Sequence, residues 1–85
     1  FDPREVMKGE VVLPDLGFDD EPVVLNLWLI KQGARVAEGE PVVEVMVGAA
    51  TVDLPSPVDG VLKKLVAEGQ TLIVGQTLAR IQVES

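Results

Sequence analysis

With 85 residues the chain is long enough for one small domain, and its 47 % hydrophobic content includes only two Phe, one Trp and no Tyr, so the core must come mainly from Val, Leu, Ile and Ala. Cysteine and histidine are both absent, which argues against disulfides, zinc sites and catalytic triads. Seven Lys and Arg against fourteen Asp and Glu give a net charge of −7, which disfavours nucleic acid and anionic membranes as partners. The acidity fits either plain solubility or steering toward a basic partner.

The N-terminal stretch FDPREVMKGE has no apolar run of signal-peptide length. No segment approaches the roughly 20 apolar residues that a membrane-spanning helix needs. We therefore expect a soluble protein of the cytoplasm, or of the mitochondrial matrix in a eukaryote. We assign residues 1–9 to a lead-in or linker and residues 10–85 to a single domain.

Short apolar runs interrupted by glycine or proline predict an all-β protein, and no stretch keeps a helical period. The predicted strands are, in chain order, Glu10–Leu13, Val23–Leu29, Arg35–Ala37, Pro41–Val47, Thr51–Leu54, Gly60–Val66, Thr71–Ile73 and Thr77–Val83.

Alternation along the second strand assigns its residues to two faces. The predicted core face holds Val23, Leu25, Leu27 and Leu29, and the predicted outer face holds Val24, Asn26 and Trp28. We interpret Trp28 as the cover of a barrel end; the alternative is an anchor for a partner.

An internal repeat predicts the architecture. Shifted by 36 positions, WLIKQGARVAEGEPVVEVMV lies over KLVAEGQTLIVGQTLARIQV, so that Gly33 matches Gly69 and Gly39 matches Gly75. Each of these glycines fits a turn that needs positive φ. Two such units related by a quasi-two-fold axis predict a flattened β-barrel or sandwich of two four-stranded antiparallel sheets.

The segment 48–60 joins the two halves and begins with a predicted hairpin loop of Gly48 and Ala49. Glycine at the first central position of a two-residue loop suits a type II′ turn. The hairpin is expected to protrude at one end of the molecule, and its tip carries no reactive side chain.

Three stretches together resemble the lipoyl domain of 2-oxo acid dehydrogenase acyltransferases: LPDLG, KQGARVAEGEPVVEV and TVDLPSPVDGVLKKLVAEGQTLIVGQTLARI. The resemblance implies the hammerhead-like lipoyl/biotinyl fold over most of residues 10–83. Biotinyl carrier domains share this architecture, but their attachment triplet is of the Met-Lys-Met type, and TVDLPSP is closer to the lipoyl branch. The resemblance also implies a carrier role in a dehydrogenase complex.

In that family the hairpin reads Glu-Thr-Asp-Lys-Ala, and the lysine carries lipoic acid on an amide. Laid onto this chain, the motif falls on Met46, Val47, Gly48, Ala49 and Ala50. The resemblance therefore implies that Ala49 stands at the lipoyl-attachment position, that this position is vacant, and that the chain carries no cofactor. Four adjacent departures favour natural drift over a single engineered change.

The family resemblance implies that the loop after the first strand contributes to recognition by the decarboxylase component. In this chain the candidate recognition residues are Phe18, Asp19 and Asp20. Phe18 is interpreted either as an exposed contact residue or as a side chain that packs back onto the domain.

Other candidate sites are weak. The acids around the first loop lack the spacing of a calcium loop. Ser56 has no histidine to act as its base, so no catalytic residue and no metal ligand is predicted. None of Lys8, Lys31, Lys63 and Lys64 falls at a predicted hairpin tip, so we expect no modification of them.

Two functions remain open. The first is a carrier domain of an acyltransferase whose attachment site has been lost, with other components of the 2-oxo acid dehydrogenase complex as partners. The second is a non-carrier docking or structural module that keeps the lipoyl shape to bind another protein, as in an adaptor. In either case the fragment is not an enzyme by itself, although its parent chain would be an acyltransferase in the first case.

Overall fold

A computed structural model of the chain describes residues 9–17 and 21–83. Within these residues the chain forms eight β-strands and no helix. In chain order they are β1 Gly9–Val12, β2 Val23–Trp28, β3 Arg35–Val36, β4 Pro41–Val47, β5 Ala50–Pro55, β6 Gly60–Lys64, β7 Thr71–Leu72 and β8 Thr77–Gln82. The all-β prediction is confirmed, and the strand ends shift by only one or two residues.

The strands form two four-stranded sheets, ordered β1-β8-β6-β3 and β5-β4-β2-β7, and every pairing is antiparallel. One continuous cluster of Val, Leu, Ile and Ala side chains fills the space between them. Its completely buried members include Leu25, Val42, Val45, Leu62 and Leu78. The predicted sandwich of two four-stranded sheets is therefore confirmed.

The internal repeat is visible in the backbone and in the core. Gly39 and Gly75 have φ of 85° and 89°, as their matched turns require. Val36 and Leu72, which the repeat places over one another, are both buried beside these turns. The two halves therefore use the same turn chemistry.

The core face predicted for β2 is correct at its beginning and wrong at its end. Val23 and Leu25 are buried, but Leu27 and Leu29 are 44 % and 41 % exposed. The register with β4 shifts between Leu25 and Leu27, so that a bulge inserts one residue and reverses the alternation beyond it.

Trp28 turns inward after this bulge. It packs against the core, and its Nε1 donates a hydrogen bond to the Val66 carbonyl at 3.0 Å. The Lys64 ammonium lies 5.4 Å from the centre of the indole ring. Trp28 therefore covers part of the core, as the first of the two interpretations has it.

One row of paired residues defines the end of the molecule that carries the β4–β5 hairpin. Ala50 pairs with Val47, Val47 with Val23, and Val23 with Leu72. We call this the hairpin end. Residues 73–76 connect Leu72 to Thr77, so Thr77 and its partner Val12 also lie at the hairpin end. Gly9 and Ile81 pair near the other ends of β1 and β8, which places them at the opposite end of the molecule.

Candidate functional site

The tip of the β4–β5 hairpin is a two-residue loop, as predicted. Val47 pairs with Ala50, which leaves Gly48 and Ala49 unpaired between them. Gly48 has φ of 60°, and no residue other than glycine has positive φ in the described part of the chain. Positive φ at the first central residue only is the pattern of a type II′ turn.

The four predicted hairpin residues divide into a surface and an anchor. Gly48, Ala49 and Ala50 are exposed, whereas Val47 is 1 % exposed and belongs to the core. Since the side chains at the tip are hydrogen and methyl groups, the hairpin offers no amine. These residues do not fit a lipoyl or biotinyl group held through an amide.

Glu21, two residues before the neighbouring strand β2, lies against the hairpin. A Cβ atom at position 48 would contact Oε2 of Glu21 and would stand 3.2 Å from its Cδ. The carboxylate of Glu21 therefore occupies the side of the tip where a side chain at position 48 would begin. Glu21 could not be assigned to this site from the sequence, because only the pairing of Val23 with Val47 brings the two segments together.

The predicted recognition residues Phe18, Asp19 and Asp20 lie outside the described residues, and their role stays a prediction. The segment before them is held at the hairpin end. The Leu13 amide donates to the Gln76 carbonyl at 3.0 Å, and the Gly75 amide donates to the Leu13 carbonyl at 2.8 Å. Because Glu21 touches the hairpin, both flanks of this loop lie at the same end of the molecule.

Ser56 has a structural role. Its side chain is 1 % exposed, and Oγ donates a hydrogen bond to the Val58 carbonyl at 2.6 Å. Its backbone amide donates to the Glu40 carbonyl, and its carbonyl accepts from the Gly39 amide. Ser56 therefore fixes the crossing between the two sheets.

The described lysines lie away from the tip. Lys31 is exposed at the start of a turn closed by the Ala34 amide and the Lys31 carbonyl, 3.0 Å apart. Lys63 and Lys64 belong to β6, in the sheet that does not contain the hairpin. That these lysines are not modified stays a prediction, and Lys8 lies outside the described residues.

Residues 9–17 and 21–83 hold neither a metal-binding cluster nor a membrane-spanning helix. In that part of the chain no group of three or more acidic side chains is arranged to hold a metal ion. The same residues contain no helix that is long and apolar enough to cross a membrane.

A family profile described as "Biotin-requiring enzyme" matches residues 9–81, which include the whole hairpin and both sheets. The chain belongs to this biotin/lipoyl family. The fold, two antiparallel sheets with the hairpin at one end, agrees with that membership.

Relatives of the chain come from several dehydrogenase complexes. The lipoamide acyltransferase component of the branched-chain alpha-keto acid dehydrogenase complex of Pseudomonas putida is 40 % identical over 75 residues, 87 % of this chain and 18 % of that protein. The succinyltransferase component of the 2-oxoglutarate dehydrogenase complex of Bartonella vinsonii is 36 % identical over 77 residues, 89 % and 19 % of the two chains. The acetyltransferase component of the pyruvate dehydrogenase complex of Mycobacterium bovis is 42 % identical over 74 residues, 86 % and 13 %. The chain thus spans less than a fifth of each of these proteins and matches the lipoyl domain of acyltransferase components.

Proposed function

We propose that this domain is a lipoyl-type carrier domain of a 2-oxo acid dehydrogenase acyltransferase in which Ala49 takes the place of the attachment lysine. The domain would then be unlipoylated and non-catalytic by itself. The observation that carries the proposal is the position of Ala49 on a protruding two-residue loop between β4 and β5.

The surroundings of Ala49 support this assignment. The stretch TVDLPSPV that follows the tip belongs to one of the motifs that resemble lipoyl domains, and Ser56 within it is hydrogen-bonded to the segment between β3 and β4. The four residues from Met46 to Ala49 depart from the family's motif, whereas a two-residue loop between two paired strands is present at the position where the motif falls. Under this proposal the hairpin is still present and has lost the group that would hold the cofactor.

The parent chain, under this proposal, is an acyltransferase component that works with a decarboxylase and other subunits. Its relatives belong to complexes for branched-chain, 2-oxoglutarate and pyruvate substrates. A vacant domain requires that a second, lysine-bearing carrier domain supplies the moving arm. The cytoplasm or the mitochondrial matrix, where such complexes work, is the proposed location.

The test is to restore an amine at the tip. We expect the Ala49→Lys variant, co-expressed with a lipoate ligase, to gain the mass of one lipoyl group, and the unaltered chain to gain none. Intact-mass spectrometry gives the answer directly. Glu38→Lys is the matched control, because it places a lysine on an exposed turn before β4, at the other end of that strand from the hairpin tip.

Lipoylation of the unaltered chain would refute the proposal that this domain is unlipoylated. A folded Ala49→Lys variant that the ligase ignores, with the Glu38→Lys control also unmodified, would instead favour the docking module. In that case the lipoyl shape would serve to bind a partner and the carrier surface would no longer be present.

A further inference from the structure

Two large apolar side chains stand in solvent at the hairpin end. Ile73 is 74 % exposed and Val74 is 55 % exposed, the highest values among the large hydrophobic residues that the structure describes. They follow β7 directly, and Leu72 at the end of that strand is buried. The chain thus places an apolar pair just outside its own core.

The turn that carries this pair is well defined. The Gln76 amide donates to the Ile73 carbonyl at 2.9 Å, and Oε1 of the Gln76 side chain accepts from the Ile73 amide at 3.0 Å. Gly75 has φ of 89°, which suits the third position of a type II turn. The backbone that carries Ile73 and Val74 is therefore held in one defined turn.

The first half of the repeat shows that the turn itself does not require apolar residues. There the Glu40 amide donates to the Ala37 carbonyl at 3.0 Å, and Oε1 of Glu40 accepts from the Ala37 amide at 3.0 Å. The same turn is thus built with Ala37 and Glu38 in place of Ile73 and Val74. Only the second turn carries an apolar pair, so the stability of the fold does not account for the exposure of Ile73 and Val74.

Ile73 and Val74 lie close to the hairpin tip. Leu72 pairs with Val23, and Val23 pairs with Val47, so β7 lies two strands away from β4. Two strand spacings correspond to about 10 Å. Ile73 and Val74 therefore lie beside the Gly48–Ala49 tip, on the same end of the molecule.

Carboxylates border this apolar surface. Glu21 contacts Gly48 on the hairpin side. On the other side Asp15 is exposed, two residues after Leu13, whose backbone is hydrogen-bonded to Gly75 and Gln76. A small apolar surface with acidic neighbours is complementary to a partner surface in which an apolar pocket has basic neighbours.

We propose that Ile73 and Val74 form a docking surface for a protein partner whose binding face combines an apolar pocket with basic side chains. The inference rests on the proposed function in one respect: it takes that partner to be the decarboxylase component of the complex. The apolar pair supplies the buried contact, and Glu21 and Asp15 steer the approach.

The experiment measures the affinity of the domain for each purified 2-oxo acid decarboxylase component of the source organism by surface plasmon resonance. The double variant Ile73→Ala/Val74→Glu gives the second turn the side chains of the first. Ala37→Ile/Glu38→Val is the matched control, which builds the apolar pair on the other turn. We expect the first variant to weaken binding about tenfold or more, because two apolar side chains lose their burial, and the control to leave it unchanged.

The charged border is tested in the same assay. Glu21→Gln is expected to slow association at low salt and to have less effect at high salt, because exposed charges are screened. The melting temperature of each variant is compared with that of the unaltered domain, which separates a loss of binding from a loss of folding.

Three results would overturn the inference: no binding to any decarboxylase component, equal affinity of the turn variant and the unaltered domain, or self-association that the turn variant abolishes. The last would make a second copy of this chain the occupant. Lipoylation of the Ala49→Lys variant is measured separately. A failure of the docking surface with a positive lipoylation result therefore leaves the proposed function intact.

Discussion

Glu21 sits beside Gly48 and limits what the hairpin accepts. A side chain at position 48 would begin where the Glu21 carboxylate now lies, and Gly48 has a backbone conformation that residues with a Cβ adopt at a cost. An aspartate there, as in the family's motif, would meet both obstacles. Under the proposed function, Ala49→Lys alone is therefore a less disruptive way to create an attachment site than Ala49→Lys combined with Gly48→Asp.

The Gly48→Asp variant is expected to lower the free energy of unfolding by about 1–2 kcal/mol, from the left-handed backbone and from repulsion between two carboxylates. Adding Glu21→Gln should recover part of the loss, and high salt should recover part of it as well. Urea unfolding at low and high salt measures both effects. Stability equal to that of the unaltered chain would show that Glu21 moves away without cost.

Ser56 is buried between two prolines, and its hydroxyl replaces a backbone group as donor to the Val58 carbonyl. We expect Ser56→Ala to lower the free energy of unfolding by about 1 kcal/mol, the net value of one buried hydrogen bond. Urea unfolding gives the number. Thr51→Ala, at an exposed position of β5, is the control and should cost within about 0.5 kcal/mol. Equal losses in the two variants would refute a special role for the hydroxyl.

At the scale of a strand, the bulge in β2 decides which leucines build the core. Asn26 is the inserted residue, and its side-chain amide donates to the Glu44 carboxylate at 2.9 Å. Before it Leu25 is fully buried, and after it Leu27 is 44 % exposed. Two leucines only two positions apart therefore have different surroundings.

Leu25→Ala is expected to cost about 2–5 kcal/mol, as is usual for a cavity in a packed core. Leu27→Ala, the matched control in the same strand, should cost clearly less, because much of its side chain is already in water. Thermal or urea unfolding distinguishes them. Similar losses for both would mean that the alternation continues through Asn26 and that the bulge is absent in solution.

The strands were predictable where their signal is local. Alternating apolar residues and the glycines at the turns give the position of each strand, and Gly39 and Gly75 indeed have the positive φ that was predicted. The bulge at Asn26 depends on the register with β4, which is set by packing between distant segments. A single strand's pattern contains no information about it, so Leu27 and Leu29 were placed on the wrong face.

For the whole molecule, the repeat at an offset of 36 residues predicted both sheets, because matched core positions such as Val42 with Leu78 and Val45 with Ile81 are buried in both halves. The hairpin tip was predictable because a short loop between two strands that are consecutive in the chain is a local feature. The contact of Glu21 with Gly48 and the position of Ile73 beside the tip were not. Both follow from the order of β4, β2 and β7 within one sheet, which the linear sequence does not display.

The pairing of Gly9 with Ile81 has a mechanical consequence. The chain enters the domain and leaves it on neighbouring antiparallel strands, at the end away from the hairpin. A tension applied through flanking segments would peel β1 from β8 one hydrogen bond at a time. The force would act on that end of the molecule, and the hairpin at the other end would bear none of it until β1 has separated from β8.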